Sequence, residues 1–207
     1  MRKFLGLVLF FAILGFAAQR MVVFEEFTRV SDWPYCPGAA RGLAENYLRS
    51  YDSLVVIAYH ASGYPFSCAD GVQRWSYYGI SATPIVKIDG INTVTGGISN
   101  PGTMYPRYRT WLTTRLAVSS PLVIDLIYSY DSLTNNGNIT ATVTNTTSSA
   151  ISGTIQFAVT ENKIPYSWYG LTTVEHVCRD MLPNGSGESV TIPANDTIIR
   201  TRTYSIN

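Results

Sequence analysis

The stretch SDWPYCPGAARGL, residues 31–43, decides how the rest of the chain is read. An aromatic residue, a proline, a tyrosine and a cysteine (Trp33, Pro34, Tyr35, Cys36) are followed by Pro37 and by small and apolar residues that continue to Tyr51 as a helix. Upstream, MVVFEEF (21–27) reads as a strand, and downstream LVVIAYH (54–60) is an unbroken apolar strand of the kind buried on both faces. ADGVQRWSYYG (69–79) reads as a short helix. PIVKIDG (84–90) and NTVTGG read as a hairpin turning at Asp89-Gly90, and YPRYRTWLTTRLAVS (105–119) reads as a closing helix. The order strand, helix, strand, helix, strand, strand, helix predicts a mixed sheet with helices on both faces.

Beyond Pro121 the helical period disappears. PLVIDLIYSY, NITATVTN, GTIQFAVTE, TTVEHVCRDML, ESVTIP and DTIIRTRTYSI are six strand-like runs. Turn-forming segments separate them, including Asn136-Gly137, Pro165-Tyr166-Ser167 and Asn184-Gly185-Ser186-Gly187. That spacing predicts an all-β sandwich over 121–207, bounded where Ser119-Ser120-Pro121 stops the helix. Such a sandwich usually has about seven strands. Six therefore mean either a strand not recognised or an edge left open to a strand from elsewhere.

The first 18 residues, MRKFLGLVLFFAILGFAA, have the form of a signal peptide: two cations, a short apolar run, then small residues with Gly15 and Ala17 suited to cleavage. Export to the periplasm, outer membrane or cell surface is expected. Charged residues make up 14% of the 207 and the formal net charge is +1. With no basic patch to displace counterions from phosphates, nucleic acid is excluded as a partner class. Four sequons, at Asn138, Asn145, Asn184 and Asn195, are expected to mark solvent-facing turns.

The quoted loop, Ala82-Thr83-Pro84 before a strand, FEEFT (24–28), VVIAYH (55–60), YYGISATPIVKIDG (77–90) and EHVCRDMLPNGSGE (175–188) together resemble the thioredoxin superfamily. More narrowly they look like the thioredoxin-like outer-membrane proteins of Gram-negative bacteria. The resemblance implies an α/β thioredoxin-like domain over 20–119, followed by an immunoglobulin-like β-sandwich domain over 121–207. In that superfamily the loop holds two cysteines three residues apart. Here Trp33 stands at the first of those positions and Cys36 at the second, so the resemblance implies a lost nucleophile.

Cys36 sits where a helix starts, and the helix dipole favours a thiolate there, but a semi-buried cysteine kept for packing is the plainer reading. If the chain is an enzyme, it is a thiol-disulfide oxidoreductase using Cys36 with Cys68, since the resemblance brings the SGYPFSCADG loop to the same sheet edge. A disulfide between them requires α-carbons within roughly 7 Å. Cys178 is left as the odd thiol. Trp33, Pro34, Tyr35, Thr83 and Pro84 are the candidate groove for a protein or peptide partner. His60 and His176 have no ligand-spaced neighbours and read as structural, so neither a metal nor a cofactor is expected. The leading expectation is a non-catalytic surface binding or structural protein. The alternatives are the Cys36–Cys68 oxidoreductase and a filament or surface-layer subunit that self-associates through its sandwich.

Overall fold

The structure is a computed structural model that describes residues 20–31 and 34–206. The signal-type segment 1–18 and Trp33 therefore lie outside the described residues. Strand β1 (Val22–Thr28), helix α1 (Cys36–Ser50), β2 (Leu54–His60), α2 (Ala69–Tyr78), β3 (Ile85–Ile88), β4 (Asn92–Thr95) and α3 (Tyr105–Leu116) follow the sequence reading element by element. β1 and β2 pair in parallel over seven residues, β3 runs antiparallel to β1, and β4 to β3.

Alternation along β1 divides the core. Val22 and Phe24 pack with Leu43, Tyr108 and Leu112 on the side of α1 and α3. Phe27 faces the opposite side with Tyr59, Trp75 and Tyr78, near α2. The same alternation sends two adjacent glutamates to opposite faces. Glu25 is neutralised by an ion pair: Arg74 Nε donates to its Oε1 at 2.7 Å, and the Tyr78 hydroxyl donates to Oε2 at 2.6 Å. Glu26 goes to the other face, where no cation among the described residues pairs with it.

The second half contributes β5 (Leu122–Asp131), β6 (Asn136–Asn145), β7 (Ile151–Ile155), β8 (Phe157–Glu161), β9 (Ile164–Trp168), β10 (Leu171–Val174), β11 (Val177–Leu182), β12 (Glu188–Ile192) and β13 (Thr197–Ser205). The sequence reading of six runs differs here for identifiable reasons. Gln156 divides one run into β7 and β8. His176, at φ 57°, divides another into β10 and β11. The Pro165-Tyr166-Ser167 segment, read as a turn, lies inside β9. The β5–β6 connection is Ser132–Asn135, with Asn135 at φ 54°. Gly137 sits within β6, where a Cβ would lie 2.2 Å from the Tyr204 ring.

The larger correction concerns which sheet these strands join. β11 and β8 leave the 121–207 unit and extend the first sheet, giving the order β4-β3-β1-β2-β11-β8. The reason is β2, whose apolar run would otherwise present an unpaired, buried edge. Ala58 N–H donates to the His176 carbonyl at 2.7 Å, and Val177 pairs with Ala58 in parallel. What remains of the sandwich is a three-stranded sheet, β13-β6-β5, facing a two-stranded one, β12-β7. Their shared core is Ala141, Val143, Phe157 and Ile192.

One sequon also departs from expectation. Asn145 is fully buried. Its Nδ2 donates to the carbonyls of Ser149 (2.8 Å), Ile192 (3.1 Å) and Pro193 (2.9 Å). Its Oδ1 accepts from the Thr147 N–H and hydroxyl. The amide is thus a structural clamp between the two small sheets and offers no surface for a glycan. Asn145→Ala is expected to lower unfolding stability by about 2–4 kcal/mol, because the buried Ile192 carbonyl and the part-buried contacts to Ser149 and Pro193 lose their donor. Chemical denaturation of the two proteins measures it.

Candidate functional site

Helix α1 begins at Cys36 with Pro37 in its first turn and Tyr35 preceding it, and no side chain caps it. The Cys36 sulfur is 0% exposed. It packs with Val30, Trp168, Val174 and Val177, so most of its apolar surroundings come from the second half of the chain. The β9–β10 hairpin supplies the roof. Trp168 Nε1 donates to the Ser31 carbonyl at 3.2 Å, and the Arg41 guanidinium donates to the Tyr169 carbonyl. Sequence reasoning missed this hairpin because a Pro-Tyr-Ser stretch carries turn chemistry. The signal available was the apolar alternation Ile164, Tyr166, Trp168.

Burial pushes the Cys36 thiol up, the Thr83 hydroxyl opposes that, and the Glu26 charge adds to it. The structure thus brings Cys36 and Thr83 together. The Thr83–Pro84 bond is cis. A Cβ added at Gly97 would lie 2.2 Å from the Tyr35 carbonyl and 2.9 Å from the Pro84 ring. Tyr35, Pro84 and the β4–α3 loop therefore converge, and only a glycine admits that approach. Of the predicted groove residues, Tyr35 is exposed, Pro34 and Thr83 are half-buried and Pro84 is buried.

Behind Cys36 lies a cavity of about 140 Å³, lined by Glu26, Thr28, His60, Trp168 and His176 among others. The two histidines, distant in sequence, share it. Burial pushes the Glu26 carboxyl up to about 8, with the Thr28 hydroxyl opposing. His60 is pushed down to about 4 by burial and by the Arg179 charge, and neither ring nitrogen has a hydrogen-bond partner. Near neutral pH the cavity therefore holds a protonated acid and a neutral imidazole, both uncharged because charge there would be desolvated. No group of three His, Cys, Asp or Glu among the described residues could hold a metal ion.

Cys68, the proposed partner of Cys36, lies in a different cluster. Its sulfur is 4.0 Å from that of Cys178, which the sequence reading left unpaired. Cys178 arrives there on β11, the strand whose sheet was misassigned.

A mixed α/β protein results, with a β4-β3-β1-β2 sheet flanked by helices and extended by β-strands from its second half. Among solved structures, HBP35 of Porphyromonas gingivalis is similar, with a TM-score of 0.67 at 14% sequence identity. The match covers 90% of this chain and 64% of that one, so this chain spans somewhat less than two thirds of its neighbour's length. At that identity the likeness is one of fold. No family model matches the sequence, and no curated protein does.

The raised Glu26 carboxyl has a testable sign. A group protonated in the folded state up to about pH 8 but only to about 4.5 when unfolded costs stability as pH rises between those values. Glu26→Gln removes the cost. The melting temperature of the variant relative to the native chain is expected to be near zero difference at pH 5. By pH 8 it should favour the variant by several degrees, a gap corresponding to roughly 3–5 kcal/mol. His60 contributes the opposite slope, losing stability as pH falls from 6.5 toward 4. Both proteins share that slope, so it cancels in the difference.

Proposed function

We propose that this chain is an exported binding or structural protein of the cell surface or outer membrane. It is built on a thioredoxin-like domain whose redox loop no longer carries thiol-disulfide chemistry. The observation that carries the reading is the burial of Cys36: its sulfur is 0% exposed beneath the β9–β10 hairpin, and burial raises its pKa. An attacking thiolate needs access and a low pKa, and Cys36 has neither. Export rests on the signal-type segment 1–18, and no described helix is long and apolar enough to cross a membrane.

The contact surface for a protein or peptide partner is the rim formed by Pro34, Tyr35 and Thr83, supported from beneath by Pro84. Trp33, next in sequence to Pro34, lies outside the described residues. With native protein and Cys36→Ser side by side in a protein-disulfide reduction assay, equal rates are expected. A rate that drops at least tenfold in the variant returns the loop to catalysis.

Self-association is a second reading, and a specific observation favours it. β5 is an edge strand, and along one of its faces Ile124 (62% exposed), Leu126 (52%) and Tyr128 (72%) stand open to solvent. Glu188 of β12 is paired with Arg200 and Arg202 of β13, so the two-stranded sheet is committed to the far side of its three-stranded partner. Two strands facing three leave β5 uncovered. A strand from a second copy would satisfy both its unpaired backbone edge and its apolar face. Leu126→Lys is expected to shift a concentration-dependent assembly toward monomer in light scattering. A native chain that stays monomeric up to millimolar concentration eliminates this reading.

A further inference from the structure

The covalent reactivity of this chain lies at a place the redox loop does not reach. Cys68 is the N-cap of α2, with extended backbone (φ −128°, ψ 158°), and its sulfur accepts the Gly71 N–H at 3.4 Å. Gly71 admits the sulfur closely: a Cβ there would lie 3.2 Å from it. Cys178 approaches from β11, is 1% exposed, and shares an apolar cluster with Phe27, Tyr59 and Met181. The sulfurs are 4.0 Å apart although the residues are separated by 110 positions. Bond formation requires a closure of roughly 2 Å, to the ~2.05 Å of a disulfide.

We propose that Cys68 and Cys178 are a dithiol pair that closes to a disulfide, clamping α2 to β11 and thereby the first half of the chain to the second. The two thiols are not equivalent. Cys68 is half-buried and its pKa falls to about 7, chiefly because the Cys178 thiol stabilises its thiolate, with the Gly71 N–H assisting. Cys178 is pushed up by its bond to Cys68 and by burial. Asp70 and Asp180 flank the pair and disfavour a negative charge on either sulfur, so the difference between the thiols comes from the Cys68–Cys178 contact and from the deeper burial of Cys178.

The order of events follows. The Cys68 thiolate attacks one sulfur of a small-molecule disulfide, R–S–S–R, forming a mixed disulfide and expelling one RS⁻. Cys178 then loses its proton and attacks the Cys68 sulfur, expelling the second RS⁻. Two cysteine thiols are oxidised by two electrons, one oxidant disulfide is reduced to two thiols, and the protons from Cys68 and Cys178 end on those thiols. Cys36, enclosed by Val30, Trp168 and Val174, takes no part and is the single thiol that an odd cysteine count requires. The inference stands whether or not the redox loop is inert.

The test uses the full chain, fully reduced, then exposed to oxidised glutathione, quenched with acid, and alkylated in denaturant. Intact mass is expected to show one alkylated cysteine, with a peptide joining Cys68 to Cys178. The oxidised form should melt about 5–15 °C above the reduced form, as a cross-link across more than a hundred residues constrains the unfolded chain. Cys36→Ser should retain the Cys68–Cys178 peptide and the melting shift, with no cysteine left to alkylate, and Cys178→Ala should lose both. Three alkylated cysteines after oxidation, a persistent glutathione adduct on Cys68, or a peptide that contains Cys36 would each overturn the proposal.

Discussion

A single parallel contact, the Ala58 N–H to the His176 carbonyl at 2.7 Å with Val177 alongside Ala58, sets the arrangement of the whole second half. β2 is apolar along its length and cannot end a sheet in water. Once β11 completes it, the chain immediately before β11 has to lie over the start of α1, and Cys178 has to face α2. The roof over Cys36 and the meeting of Cys68 with Cys178 are both consequences of that pairing. What would have been two tethered domains becomes one continuous sheet with a small sandwich extending from it.

The core accommodates two adjacent buried acids by different routes. Glu25 is ion-paired with Arg74 and accepts from the Tyr59 and Tyr78 hydroxyls. Glu26, on the opposite face, has no cation and gives up its charge instead. One ion pair also binds α2 to the sheet, and Arg74 reaches on to the Gly185 carbonyl, a further link between the halves. The protonated acid shares its cavity with His60, and its charge when ionised raises the Cys36 pKa further, which disfavours thiolate in the loop.

Cys36 is roofed and has no sulfur partner among the described residues, whereas half-buried Cys68 lies 4.0 Å from the buried Cys178 sulfur. The loop that resembles a redox motif is packed beneath the second half, through the Trp168 indole on the Ser31 carbonyl and the Tyr169 carbonyl on Arg41. The Cys68 and Cys178 sulfurs meet where the two halves join. Closure of that pair would fix α2 against β11, while Tyr35 on the loop and the face of β5 that bears Ile124, Leu126 and Tyr128 remain exposed.

The residues alone determined the first half almost element by element, because each strand and helix there is defined by local period and bounded by proline, glycine or Asp-Gly. They also showed that the loop kept one cysteine, placed Thr83-Pro84 beside it, and marked a change of grammar at Pro121. Tertiary structure decided the rest. Which sheet a strand joins is set by the edge that most needs covering, and TTVEHVCRDML reads the same whether it pairs in a sandwich or beside β2. Cys178 could not be matched to Cys68 from sequence for the same reason. Their contact depends on a pairing between β2 and β11, and on the break at His176 that turns the chain between hairpin and sheet. The hairpin over Cys36 was hidden by Pro165-Tyr166-Ser167, whose turn chemistry was overridden once Trp168 had an apolar cluster to enter.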